Sequence, residues 1–151
     1  MTNKREELLH EAILAENNMA ELYGWYAKTF QEDREFWETI SQEEKKHASL
    51  IRLAQDILTE EDLAQIFIND NLDKVKEVNK ELRSFIERFS KDPPEKTDAY
   101  NIAAMMESNS FESFYQSKMT GTPQSKSMKV FQKLNEDSKD HAKRIKELLG
   151  K

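Results

Sequence analysis

Five side chains in this sequence are of types that bind metal ions together. Glu44 and His47 form a Glu-x-x-His pair, and Glu16, Glu107 and His141 stand at positions with related helical spacing. Carboxylates are hard oxygen donors that can bridge two cations, and a neutral imidazole suits iron, manganese or zinc. A three-residue step sets Glu44 and His47 one turn apart on the same helix face. Taken singly these residues mean little in a Glu-rich helical chain. A lone glutamate on a packing seam can specify register, and a lone core histidine can simply pair with an acid. The weight lies in finding all five together.

The elements that must position them are legible in the apolar spacing. A first stripe runs through positions 9, 12, 16, 19, 23, 26 and 30, and a second through 37, 40, 44, 47, 51, 54 and 58. A later segment carries Val75, Val78, Leu82, Phe85 and Phe89. The penultimate segment aligns Tyr100, Ala104, Glu107, Phe111 and Phe114, and the last runs through 131, 134, 138, 141, 145 and 148. Alternating steps of three and four are the seam of packed antiparallel helices. Polar punctuation falls at Gln31-Glu32-Asp33, at Lys91 to Lys96 with Pro93-Pro94, and at Thr120 to Ser127 with Gly121 and Pro123. Asn3 with Glu6, Asp33, Thr59 with Asp62, Asp70 with Asp73, and Thr97 or Asp98 are the expected helix openers.

Short loops make each outer pair of long helices an antiparallel hairpin. The expected fold is all-α, a four-helix bundle with a long helical crossover between the second and third long helices. In a single domain over 1–151, the first hairpin takes 3–58, the crossover 59–96 and the second hairpin 97–151. Each long helix interrupts its apolar stripe with inward polar groups: Glu16, then Glu44 and His47, then Glu107, then Ser138 and His141. Glu16 stands 16 residues before a turn near position 32, with Glu44 and His47 standing 12 and 15 after it. The second hairpin repeats these offsets closely around a loop near 123–124. At a rise of about 1.5 Å per residue the groups fall in one layer at mid-bundle. A lone buried carboxylate costs several kcal/mol, so a layer of them needs partners.

The two hairpins also resemble each other. Ile13 to Phe30 matches Ala104 to Met119, with Glu16 over Glu107, and Ile40 to Ile51 matches Leu134 to Ile145, with His47 over His141. The offsets are 91 and 94 residues, so the bundle reads as a duplicated helical hairpin.

On these residues the chain resembles the ferritin-like superfamily, rubrerythrin-type, over nearly its whole length. That family repeats a Glu on one helix and a Glu-x-x-His on the next to cradle two metal ions. The resemblance implies Glu16, Glu44, His47, Glu107 and His141 as metal ligands, with Tyr23 matching the family's aromatic seven positions after the first glutamate. It implies a divalent metal, iron first with manganese or zinc as alternatives, and reduction of peroxide or activation of oxygen. It also implies a homodimer. The departure is Ser138, which occupies the place of the family's second bridging glutamate. Asp137 is a candidate stand-in, but it aligns with Glu43, off the seam. Two divalent ions carry +4 against three carboxylates, so one ion, an asymmetric pair or none all remain open. The second reading is therefore a degenerate bundle, metal-free or single-metal, with a non-enzymatic binding or structural role.

Composition bounds the rest. The 151 residues hold 23 Lys+Arg against 29 Asp+Glu, a net charge of −6, which argues against nucleic acid as main partner. With no Cys there is no Cys-ligated zinc, iron–sulfur cluster or thiol nucleophile. The family's Cys-rich rubredoxin-like module is missing, so electrons would come from an external donor. No run approaches the roughly 20 apolar residues of a membrane span, and Met1 to Glu7 lacks a signal-peptide core, so the expected compartment is cytoplasmic. His10 lies off the stripe and reads as a surface residue. Trp25, Tyr26, Trp37, Phe111 and Phe114 read as core or dimer contacts, Met105-Met106 as core, and Lys45-Lys46 and Lys143-Arg144 as solvated faces.

Overall fold

A computed structural model describes residues 4–56, 72–114 and 126–150. Five helices follow in order: α1 (Lys4–Thr29), α2 (Arg34–Gln55), α3 (Leu72–Lys91), α4 (Lys96–Phe114) and α5 (Lys126–Leu149). A 3-10 turn, Gln31–Asp33, joins α1 to α2 at the polar stretch expected to break the first hairpin. No strand occurs among the described residues. No helix among them is long and apolar enough to cross a membrane. The expected openers Asn3, Thr59, Asp62 and Asp70 and the loop residues Gly121 and Pro123 lie outside the described residues.

The fold is the expected all-α bundle. α1 packs along α2, α4 along α5, and the two hairpins meet through α2 with α5 and α1 with α4. The crossover helix α3 lies along α1 of its own chain and reaches α4. That contact makes α1 the most enclosed helix. One face carries Leu9, Ala12, Met19, Tyr23 and Tyr26 into the bundle, all buried. Another turns toward α3, where the Asn18 side-chain amide donates to Asn79 at 3.1 Å and the Asn79 amide donates to the Glu11 carboxylate at 2.7 Å. A buried amide must find such partners, and this pairing sets how α3 registers against α1.

Several details differ from the sequence reading. In α3 the buried residues are Leu72, Val75, Val78, Asn79, Leu82, Ile86 and Phe89, while Phe85 is only half-buried. A four-residue step from Leu82 to Ile86 keeps pace with 3.6 residues per turn better than a second step of three. In α4, Met106 is fully buried as core, but Met105 is 42% exposed, because neighbouring helical positions point about 100° apart. α4 opens at Lys96, ahead of Thr97 and Asp98. Pro93-Pro94 end just before it, and the Glu95 carbonyl accepts from the Ala99 amide at 2.9 Å. Asp33 stands at the N-cap of α2 without capping it. Its carboxylate instead accepts from the Tyr100 hydroxyl at 2.6 Å and pairs with Lys96 at 3.0 Å, tying the first hairpin's turn to the start of the second.

At that same end the core is aromatic. The Trp37 ring lies 5.1 Å from Tyr23, 4.9 Å from Tyr26 and 4.9 Å from Tyr100, with Phe30 and Phe89 closing the cluster. Rings packed at such angles and spacings add to their area burial and stiffen this end of the bundle.

Candidate metal centre

The inward polar positions of all four bundle helices converge. Glu16 on α1, Glu44 and His47 on α2, Glu107 on α4, and Ser138 and His141 on α5 are each buried, none more than 6% exposed. α2 presents Glu44 and His47 together because they are one turn apart on a helix that otherwise buries Trp37, Ile40, Ile51 and Ala54. α5 does the same with Ser138 and His141 between Leu134 and Ile145.

The donor atoms form two groups that share one residue. Ligand atoms of Glu16, Glu44 and His47 lie within 4.8 Å of one another, and so do those of Glu44, Glu107 and His141. His47 Nδ1 is 3.5 Å from Glu16 Oε2 and 4.0 Å from Glu44 Oε2. His141 Nδ1 is 2.5 Å from Glu44 Oε1 and 3.5 Å from Glu107 Oε1. Glu44 thus reaches both histidines with its two oxygens. The two imidazoles stack 5.5 Å apart, tilted by 18°.

Each ring is gripped from outside by an acid of the other hairpin. His47 Nε2 meets Asp137 Oδ2 at 3.0 Å, and His141 Nε2 lies 3.5 Å from Glu43 Oε1. Arg144 pairs with Glu43 at 3.3 Å. On His47 the carboxylate at Nε2 leaves Nδ1 facing the layer, the usual support of a metal-binding histidine, whereas His141 Nε2 has Glu43 nearby without a hydrogen bond. In the sequence Asp137 is a candidate stand-in at the layer and Glu43 lies off the seam. The available signal was the duplication: 43 and 137 are 94 residues apart, as are 47 and 141. Asp137 stays outside the layer behind His47 and does not replace the carboxylate missing at Ser138. Tyr23 donates its hydroxyl to Glu107 Oε1 at 2.9 Å, a contact carried by the aromatic seven positions after Glu16.

The electrostatics show what the layer lacks. Burial pushes the Glu44 carboxyl well above the usual range, and the charges of Glu107 and Glu16 push it further, so Glu44 keeps its proton to higher pH than a free carboxyl. Burial also works against the Glu16 carboxylate, but Glu44 and the nearby His47 and His141 outweigh it and leave Glu16 below the ordinary value. Burial would lower the His47 imidazole, yet Glu16 and Asp137 raise it above its usual value. His141 is raised against the same burial by Glu107. The Tyr23 phenol is pushed well up by burial and by Glu107 and Glu44, so it remains a donor. The cage therefore gathers protons in the role of cations. His47 Nδ1, buried, aimed inward and without a hydrogen bond, is the atom with most to gain from a real one. Donor atoms 3.5 to 4.0 Å apart around it match the edges of a coordination shell whose bonds are about 2.0–2.3 Å. The residues present fit a divalent ion.

The rubrerythrin family model matches residues 7–149. The chain belongs to the rubrerythrin family. No curated protein and no solved structure matches it significantly. The buried carboxylate and histidine groups of this rubrerythrin-family bundle are of a kind that could hold a metal ion. His10 stays outside this layer in the sequence register. The side chains of Phe111 and Phe114 lie outside the described residues.

Proposed function

We propose that this rubrerythrin-family chain, one ferritin-like domain, binds divalent metal, iron first, through Glu16, Glu44, His47, Glu107 and His141. The observation that carries the reading is the pair of buried donor groups joined at Glu44, each with a histidine Nδ1 turned inward. Bound iron would supply one-electron chemistry toward peroxide or dioxygen, with electrons drawn from a separate donor because the chain has no Cys.

The chain's own residues do the rest. Asp137 holds the His47 imidazole in the tautomer that leaves Nδ1 free to bind, and Glu43 stands 3.5 Å from His141 Nε2. Glu44 gives up its proton when a cation enters, and both histidines give up theirs, so loading releases protons. Tyr23 holds Glu107 Oε1 and keeps a phenolic proton beside the layer. Around Glu16, Glu44 and His47 the packed helices bury the donors and thereby strengthen the charge interactions there.

Metal content of protein purified without an affinity tag tests this. Iron, manganese or zinc near stoichiometry supports it; protein that holds no metal and takes none up on titration leaves the second reading. That reading, a metal-free ionic network with a non-enzymatic role, is favoured by one observation: the histidines are already paired with acids, His141 with Glu44 at 2.5 Å and His47 with Asp137 at 3.0 Å. We further propose a cytoplasmic homodimer; equilibrium sedimentation that finds only monomer would remove the dimer.

A further inference from the structure

The aromatic cluster of the core begins at the polar layer and ends near the surface. Tyr23 donates its hydroxyl to Glu107 Oε1 at 2.9 Å, and its ring lies 5.1 Å from that of Trp37. The Trp37 ring lies 4.9 Å from Tyr100. Tyr100 in turn donates its hydroxyl to Asp33 at 2.6 Å, and Asp33 pairs with Lys96 at 3.0 Å. The three rings are buried, whereas Asp33 is partly exposed and Lys96 is exposed. An unbroken row of phenol, indole and phenol thus joins one candidate ligand to the turn between α1 and α2.

Packing alone does not ask for these side chains. Phe fills nearly the space of Tyr and leaves no hydroxyl to satisfy, and Phe30 and Phe89 pack in the same cluster. Phenol and indole add a lone pair on oxygen or nitrogen, which makes the ring far easier to oxidise by one electron than a benzene ring. A phenol also sheds its proton when it loses an electron, so it needs a base within hydrogen-bond reach. Tyr100 has one in Asp33. Tyr26 touches the same rings, 4.9 Å from Trp37, but its hydroxyl is held by the Ala99 carbonyl at 2.7 Å, too weak a base to take a proton. Of the two tyrosines beyond Trp37, Tyr100 is the one equipped to be oxidised.

We propose that Tyr23, Trp37 and Tyr100 form a one-electron relay that carries oxidising equivalents from the layer toward the surface. This rests on the metal reading above, with peroxide as the oxidant. A one-electron oxidant left in the layer by incomplete reduction of peroxide takes an electron from Tyr23, whose proton shifts along its hydrogen bond to Glu107. Trp37 returns an electron to Tyr23, the proton shifts back, and the indole is left one electron short. Tyr100 refills Trp37, hands its phenolic proton to Asp33 and becomes a neutral radical. An external one-electron donor then restores Tyr100 as Asp33 returns the proton. One electron moves inward for each oxidising equivalent that moves outward, and His47 and His141 are spared oxidation.

The test mixes the iron-loaded full chain with an equimolar amount of hydrogen peroxide, without reductant. Samples of matched iron content are frozen rapidly and read by electron paramagnetic resonance. Wild type is expected to give a neutral tyrosyl signal that Tyr100→Phe removes and Tyr26→Phe leaves unchanged. Trp37→Phe is expected to lose the Tyr100 signal although that phenol is intact, and to show oxidised Tyr23 or His47 by peptide mass spectrometry. Asp33→Asn keeps a hydrogen-bond acceptor without the base, and is expected to lose the signal as well. Tyr100→Phe and Asp33→Asn carry the test if Trp37→Phe does not fold. A tyrosyl signal that survives in Tyr100→Phe, or one of equal size in wild type and Trp37→Phe or Asp33→Asn, overturns the relay. So does wild type that binds iron and gives no organic radical with peroxide. These results leave the metal reading standing. Protein that takes up no iron removes that reading, and this inference with it.

Discussion

The two half-sites descend from one pattern, and they no longer match. In the first, Glu16, Glu44 and His47 are enclosed, and His47 Nδ1 points inward with no hydrogen bond. In the second, Glu107 is engaged by Tyr23, His141 Nδ1 is already met by Glu44 at 2.5 Å, and Ser138 opens the wall to solvent. The outer supports differ too, at 3.0 Å for Asp137 on His47 and 3.5 Å for Glu43 on His141. A duplicated fold can keep its packing symmetric while its chemistry becomes one-sided, because buried apolar positions tolerate only shape while polar ones must be balanced by charge. The comparison predicts that the first half-site is the tighter one.

The largest effect should come from Glu44, which serves both halves. Glu44→Ala/His47→Ala is expected to abolish metal retention, whereas His141→Ala should keep an ion in the enclosed half. Elemental analysis after gel filtration separates them, and equal loss from both variants would erase the asymmetry. Next come the outer supports. Asp137→Asn is expected to weaken metal binding by about 10–100-fold, as for supporting acids behind ligating histidines, and Glu43→Gln by less. Competition with a chromophoric chelator reads both, and the reverse order would contradict the distances.

A smaller effect is expected at Tyr23. Tyr23→Phe removes a buried hydrogen bond to a carboxylate and should cost about 2 kcal/mol of metal-free stability in urea unfolding. No change would mean the phenol contributes packing alone. The pH profile of the metal-free protein is the gentlest probe. Glu44 is raised above 4.5 and the two histidines above 6.5, so what they contribute to stability is present at lower pH and is lost as pH rises through their folded values. Glu16 is lowered below 4.5, so its contribution is lost as pH falls. The metal-free protein should be most stable in mild acid and lose stability above roughly pH 6.5, while metal-loaded protein should be protected there. A metal-free profile that rises from pH 6 to 8 would contradict these protonation states.

Much of this was legible before any coordinates. Steps of three and four placed the seams, and their polar interruptions located Glu16, Glu44, His47, Glu107, Ser138 and His141 in one buried layer. Periodicity works because a helix carries its side chains in a fixed angular order, so the sequence alone states which residues share a face. It cannot state how two faces are rotated against each other. For that reason the seams alone do not show that Asp137 meets His47 and Glu43 approaches His141 across the hairpins, although both acids sit beside seam residues. Asp33 escaped for a related reason. Its local signal is a helix cap, and a tyrosine 67 residues away takes its carboxylate instead.

The helices, the repeated hairpin, the three inward glutamates and two inward histidines, and the serine at 138 can be read from the chain, because they are matters of residue type and spacing along one helix. It took the packed bundle to show that Glu44 lies between the two histidines, that both imidazoles turn Nδ1 toward the layer, and that a cleft lined by Glu107 and Ser138 opens between α4 and α5. Those facts depend on how separate helices approach and rotate, which is set by packing over the whole bundle and written at no single position.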